Sequence, residues 1–194
     1  MALRQGRAHL GGSHMLDPET NSYNVPFIQR YLSGMSLKLI NLTWRQQGLM
    51  LAPGNPKNIR SIKDLARPGV RFINRQRGAG TRLLLDFLRQ KEDLAAAAIQ
   101  GYDREEYTHM AVAVNVFSGT ADVGLGIMAA AQALGLDFVP LLPERYDLVV
   151  PESTFADPRF QALLSVIRAG EFQEAALALG GYDLKDCGRI LWEQ

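Results

Sequence analysis

Through most of this chain, short apolar runs of β type alternate with longer runs whose apolar residues recur at helical spacing. That alternation constrains the fold more than any other feature. It is the signature of an α/β protein with a mainly parallel sheet and right-handed crossovers. The runs carry their own punctuation. In "THMAVAVNVFS" (108–118) Thr108 stands as N-cap, Ala111, Val112, Asn115 and Val116 share one face, and Gly119 stops the helix. In "DPRFQALLSVIRAG" Asp157 caps, Pro158 takes the first helical position, and Phe160, Leu163, Leu164 and Ile167 make an apolar stripe. "VPFIQRYL" reads as a short helix and "EFQEAALALGGYD" as a last one, ended by glycine. "SIKDLA" has Ser61 as N-cap with Asp64 three residues on, close to a capping box. Strands are expected at 8–10, 37–44, 48–53, 70–74, 137–142 and 146–151. A further buried strand in "TADVGLG" opens into a helix with Ile127, Ala130, Ala131 and Leu134 on one face, ended by Gly135.

Composition narrows the class. With 194 residues, 47% of them apolar, the chain can build one large domain or two small lobes with real cores. A net charge of +1 gives no global bias toward nucleic acid or a membrane surface, so local charge must carry recognition. No apolar run approaches the roughly 20 residues of a spanning helix. "MALRQGRAHLGG" has no apolar signal core, and the expected setting is cytoplasmic. Cys187 is the single cysteine, which excludes an internal disulfide; with three scattered histidines, no structural metal site is expected. "GSHM" (12–15) matches a common tag-cleavage scar, but "GRAHLGGSHMLDPET" reads as continuous protein.

The chemistry concentrates in "RFINRQRGAGTRLLLDFLRQ" (71–90), where a strand enters a basic glycine turn and a helix follows. Gly78 and Gly80 let the backbone turn sharply and bring N–H groups close to a ligand. Thr81 is placed to cap the helix, whose first N–H groups lack internal acceptors. Arg75, Arg77 and Arg82 surround the turn with guanidinium forks suited to oxyanions and carboxylates. A tight turn with solvated arginines is the plainer alternative. The spacing does not match a P-loop, which needs Lys then Ser/Thr after its second glycine. The dinucleotide fingerprint needs a third glycine where Leu83 stands. "GGSHMLD" repeats the theme with Ser13 and His14 after two glycines, and "YTHMA" places Thr108 and His109 at another helix start. A lone histidine such as His14 is more often a packing or surface residue than a catalyst, whereas Thr108 and His109 read equally as ligand-facing or structural. Asp122 reads as hydrogen-bonded within the protein. Tyr146 is either close to a lobe crossing or a plain strand aromatic.

An enzyme is not expected. The chain has no GxSxG, HExxH or EF-hand pattern, and Ser13, His14 and Asp17 are adjacent in sequence without implying triad geometry. Asp103, Glu105 and Glu106 are read as a solvated turn.

The segments "GRAHLGGSHMLDPET", "QQGLMLAPGNP", "SIKDLARPGVRFINRQRGAGTRLLLD" and "GTADVGLGIMAAAQALGLDFVPLLPERYDLVVP" together resemble the type II periplasmic-binding-protein superfamily. They look closest to the cytoplasmic domain of this kind found in molybdopterin-biosynthesis proteins and helix-turn-helix regulators. The resemblance implies a two-lobed α/β fold with mainly parallel sheets, lobe I from 1–53 and 146–194 and lobe II from 54–145. Crossovers lie near Leu49–Pro53 and Tyr146–Pro151, with ligand in a cleft that closes. It also implies a first lobe that is incomplete at the N-terminus, where a strand, helix and strand would precede "ALRQGRAHL". The open sheet edge this leaves invites pairing with another chain, so a homodimer is one expectation. Extracytoplasmic relatives in this superfamily bind molybdate or tungstate. By that resemblance the function is a sensor for a small oxyanion, linked to molybdenum-cofactor synthesis or its regulation. The alternatives are a non-catalytic module of a molybdopterin-biosynthesis enzyme and an interaction domain without ligand. The resemblance implies that Ser13, Gly80, Thr81 and Arg82 face the ligand, with Thr108 and His109 as weaker carry-overs; the expected ligand-binding set adds His14, Arg77, Gly78 and Tyr146. No cofactor is expected other than molybdate or tungstate as a ligand, and no direct nucleic-acid or membrane contact is expected from this domain. A helix-turn-helix or molybdopterin-biosynthesis domain is the expected associate.

Overall fold

The computed structural model describes residues 2–17, 19–20 and 22–194. Three short strands come first, β1 (Gly11–Ser13), β2 (Leu16–Asp17) and β3 (Ser22–Tyr23), then helix α1 (Val25–Tyr31) and a long strand β4 (Leu37–Leu51). Next are β5 (Phe72–Arg75), α2 (Gly80–Lys91), β6 (Glu105–Glu106), α3 (His109–Phe117), β7 (Val123–Ile127) and α4 (Met128–Gln132). A second long strand β8 (Asp137–Pro151) leads to α5 (Glu152–Phe155), α6 (Pro158–Arg168), α7 (Gly170–Ala178), β9 (Tyr182–Asp183) and β10 (Ile190–Glu193). The chain divides into two compact units. One contains residues up to Arg45 with 144–178 and 182–194; the other contains 46–143 and 179–181. The division falls earlier along both long strands than the sequence boundaries at 53/54 and 145/146.

In the first unit β1 runs antiparallel to β8, pairing Gly11 with Val149 and Ser13 with Asp147. Strand β10 runs antiparallel to the start of β4, with Glu193 opposite Lys38. Strand alternation sorts the core onto two faces. Ile40, Leu148 and Val150 pack with Phe160, Leu164 and Ile167 of α6. Leu37, Leu39 and Val149 point the other way, to Ile28 of α1 and Leu32. The apolar stripe read in α6 is thus buried at three positions, while Leu163 stays in solvent.

In the second unit the end of β4 runs antiparallel to β7, from Gln47 opposite Ile127 to Leu51 opposite Val123. Strand β5 is parallel to both β7 and β6. Ile73, Val112, Val116, Ala130 and Ala131 form a core that holds α3 and α4 against the strands. Glycine at 101 is dictated by its surroundings: its φ is +94°, and a Cβ there would run into the Phe72 carbonyl.

Several boundaries differ from the sequence reading. The two strands expected at 37–44 and 48–53 are one strand. Arg45-Gln46-Gln47 contains no turn former, and the ladders to β9 and β7 keep it extended. The strands expected at 137–142 and 146–151 are likewise one strand, β8, which continues through Pro143. The strand expected at 8–10 forms at Gly11–Ser13, where β8 offers its partners. Residues 62–66 form a 3-10 helix in which the Asp64 carboxylate accepts the Ser61 N–H at 3.0 Å. No helix among the described residues is long and apolar enough to cross a membrane.

Candidate functional site

In the second unit each of the strands β5, β6 and β7 is followed by a helix, so α2, α3 and α4 begin at the same end of the sheet. Helix N-termini present unpaired N–H groups and partial positive charge there. Gln47, paired with Ile127, lies at that end of β7. Its side-chain Nε2 donates to Thr81 Oγ1 at 3.1 Å. Both residues are buried, and Gln47 Oε1 has no partner among the described residues. Helix α2 is capped at Ala79 without a side-chain bond, so the Thr81 hydroxyl serves Gln47 and is not the cap expected from sequence. His109 opens α3; a Cβ on Gly126 would meet its Nδ1 at 3.3 Å, so Gly126 leaves the imidazole its space. Thr108 caps α3 as its position indicates, accepting the Ala111 N–H at 2.9 Å.

The arginines of the glycine turn have separate fates. Arg82 is 4% exposed. Its guanidinium donates to the Arg75 carbonyl (3.3 Å) and the Glu105 carboxylate (3.2 Å), and lies over the Tyr102 ring at 4.0 Å. Arg77 extends into solvent, 3.8 Å from Asp103 and Glu105. Arg75 donates to the Tyr107 carbonyl at 2.9 Å. Gly78, at φ +84°, makes the turn and is exposed, and Gly80 is the first residue of α2.

The first unit holds a second polar assembly. His14 Nδ1 lies 3.0 Å from Glu144 Oε1, and its ring stacks on Tyr146 with centroids 5.3 Å apart. Arg45 donates to the other oxygen of Glu144 and covers the Tyr146 ring at 4.9 Å. Burial pushes the Glu144 carboxyl upward, but the hydrogen bond from His14 and the charge of Arg45 outweigh it and hold the pKa below the usual carboxylate range. Tyr23 is pushed up to about 12 by burial, with the charge of Glu144 adding to it. The neighbouring Asp147 is fully buried and accepts from Asn24 (2.7 Å), Asn41 (2.9 Å) and Arg145 (2.8 Å). Ser13 donates to Asn24 Oδ1 at 2.7 Å and so belongs to this scaffold. Glycine at 12 is needed because a Cβ there would strike the Tyr146 hydroxyl.

Ser13, His14 and Tyr146 therefore converge in one unit, and Thr81, Gly80 and His109 lie at one sheet end in the other. Sequence reasoning missed Gln47, Arg45, Glu144, Asp147, Asn24 and Asn41. The available signal was Asn41, Thr43, Arg45 and Gln47 at alternate positions along β4. Asp122, read as an internal partner, binds Arg71 through both carboxylate oxygens at 2.8 and 3.1 Å. Among the described residues no three His, Cys, Asp or Glu side chains gather as metal ligands would.

A family model described as PBP superfamily domain matches residues 1–168. The chain is 36% identical over 191 residues to an uncharacterized protein of Bacillus subtilis (strain 168), YvgK, covering 98% of this chain and 61% of that protein. It therefore spans about three-fifths of that relative's length. It is similar in structure to the CcmR regulatory domain of Synechocystis PCC6803 in complex with 2-PG, with TM-score 0.61, 12% identity, and coverage of 86% of this chain and 74% of that one. It is also similar to the probable amino-acid ABC transporter extracellular-binding protein ytmK of Bacillus subtilis, with TM-score 0.60, 16% identity, and coverage of 93% and 74%. At such identities the likeness is one of fold.

Proposed function

This chain belongs to the PBP superfamily domain family and has its two-lobed type II α/β fold, and from that premise we propose that it is a non-catalytic sensor domain. Its second unit takes the anionic group of a small molecule where α2, α3 and α4 begin. The Gln47–Thr81 pair carries this reading. A buried amide oxygen without a partner costs about 1–3 kcal/mol, so such atoms are rare unless a ligand or water completes them. The amide can also sit the other way round. With Nε2 on Thr81, the Thr81 hydroxyl proton is left to donate outward; with Oε1 on Thr81, the Nε2 protons are left. Either arrangement sets a donor beside the first-turn N–H groups of α2, where a carboxylate, a phosphate or a tetrahedral oxyanion is stabilised. Molybdate and tungstate are the oxyanions favoured by the sequence resemblance. In the first arrangement Oε1 still requires a donor, which a hydroxy acid, a protonated phosphate ester or an amino acid supplies and a bare metal oxyanion does not.

The sensor would act in the cytoplasm for an associated helix-turn-helix or molybdenum-cofactor-synthesis domain; a regulatory domain is among the similar folds. Calorimetry with molybdate, tungstate, sulfate, phosphate, 2-PG and a panel of amino acids tests the reading. At least one ligand should bind, and Thr81→Ala or Gln47→Ala should weaken it about 10-fold or more, the scale of one hydrogen bond to a charged group. Heat from none of them, or affinity unchanged in both variants, would reject it.

A further inference from the structure

Helix α3, "HMAVAVNVF", contains no Asp, Glu, Lys or Arg. Its inner face, Val112, Ala113 and Val116, is buried in the core of the second unit. Its outer face is also apolar. Met110, Val114 and Phe117, spaced four and three residues apart on one side of the helix, are 43%, 46% and 63% exposed, and Tyr107 just ahead of it is 75% exposed. A helix that is apolar all round is normally buried all round.

We infer that the outer face of α3 is the contact between two copies of this chain, packed as an antiparallel α3–α3 pair about a two-fold axis. Taking about 200 Å² for a full aromatic side chain and less for Met and Val, the four exposed side chains offer about 450 Å² of apolar surface. A standard interface draws about 800 Å² from each partner, somewhat over half of it apolar. The apolar centre is therefore the right size, and exposed Thr108, Ser118 and Thr120 at the two ends of the helix begin a polar rim, where Arg75 reaches the Tyr107 carbonyl and Arg104 the Thr120 carbonyl. A two-fold contact sets a patch against itself, so it needs a surface free of like-charge conflict. The outer side chains of the helix itself carry no charge and meet that condition at the centre of the contact, with the arginines confined to its two ends. Antiparallel packing also sets the two helix dipoles in opposition, which is favourable.

Sedimentation equilibrium of the full chain from 1 to 200 µM tests the inference. The mass should rise with concentration from 21.5 kDa toward twice that value. Val114→Lys and Phe117→Glu should each raise the dissociation constant at least 100-fold with unchanged far-UV circular dichroism. Leu83→Lys, at an exposed apolar position on α2, should not. A second variant guards against misfolding in the charged ones. With Cys187→Ser as background, Val114→Cys near the middle of the stripe should yield a disulfide-linked dimer under mild oxidation. A chain that stays monomeric throughout the range overturns the inference. So does a dimer unaffected by either charge substitution, or a dimer in which Val114→Cys does not cross-link.

Discussion

Arg82 offers the sharpest separation of a structural from a ligand-binding role. It stands in the first turn of α2, where sequence places a ligand-facing cation, yet its side chain is 5% exposed. Arg82→Met keeps most of the aliphatic stem and removes the charge. Breaking a buried ion pair from one side costs about 3–5 kcal/mol. Here the two carboxylates, Glu105 at 3.2 Å and Asp86 at 3.7 Å, retain 28% and 29% side-chain exposure. Water takes up part of the lost interaction, which brings the cost toward about 2 kcal/mol. Losing the guanidinium over Tyr102 adds about 1 kcal/mol. The expected total of about 3 kcal/mol corresponds to a melting point lowered by about 6–12 °C for a chain of this size. Urea denaturation followed by circular dichroism measures it, with an unchanged slope showing that only stability moved. Calorimetry on the same variant, below its transition, should show anion affinity within about 3-fold of the parent, since the charge is already spent inside the fold. A variant with an unshifted midpoint and no binding would refute the reasoning and make Arg82 the ligand's counter-ion.

Asp147→Ala should cost at least about 3 kcal/mol by urea denaturation, because Asn24, Asn41 and Arg145 lose a shared acceptor in the core; Asp147→Asn should cost less. Gly101→Ala should lower stability by about 2 kcal/mol or more in a thermal melt, since both the +94° φ and the Phe72 carbonyl oppose a Cβ. The hydrogen bonds and charge of Arg71 hold the Asp122 carboxyl below its usual range. Its stabilising contribution is therefore complete above the unfolded pKa of about 4 and drains away as pH falls through the folded value. Denaturation midpoints measured from pH 6 down to pH 2.5 should fall less steeply for Asp122→Asn than for the parent. Equal slopes would remove Asp122 from the acid response.

Local chemistry was open to reading because its partners lie a few residues apart. Thr108 caps the N–H of Ala111, Asp157 caps that of Arg159, and Asp64 reaches back to Ser61, all within three residues. Glycine stops and the β5–turn–α2 unit follow from the same short range, and so does the α/β class. The continuity of β4 and β8 was not open to reading, because such a run, even one crossing Pro143, extends or bends according to which strands pair with it. The partners of the buried polar residues were equally hidden. Glu144 meets His14 across 130 residues and Arg45 across 99, Asp147 meets Asn24 across 123, and Gln47 meets Thr81 across 34. A buried charge is tolerable only where packing delivers its partner. By itself the sequence determined the main helices, the caps of α3 and α6, the glycine turn and the α/β class, but not the strand directions. The sheet expected to be mainly parallel is parallel, among the described residues, where β5 meets β6 and β7, while β1, β7, β9 and β10 run antiparallel to the long strands. Tertiary packing alone decided that Arg82 is consumed inside, that Thr81 meets Gln47 and that α3 turns an uncharged face to solvent.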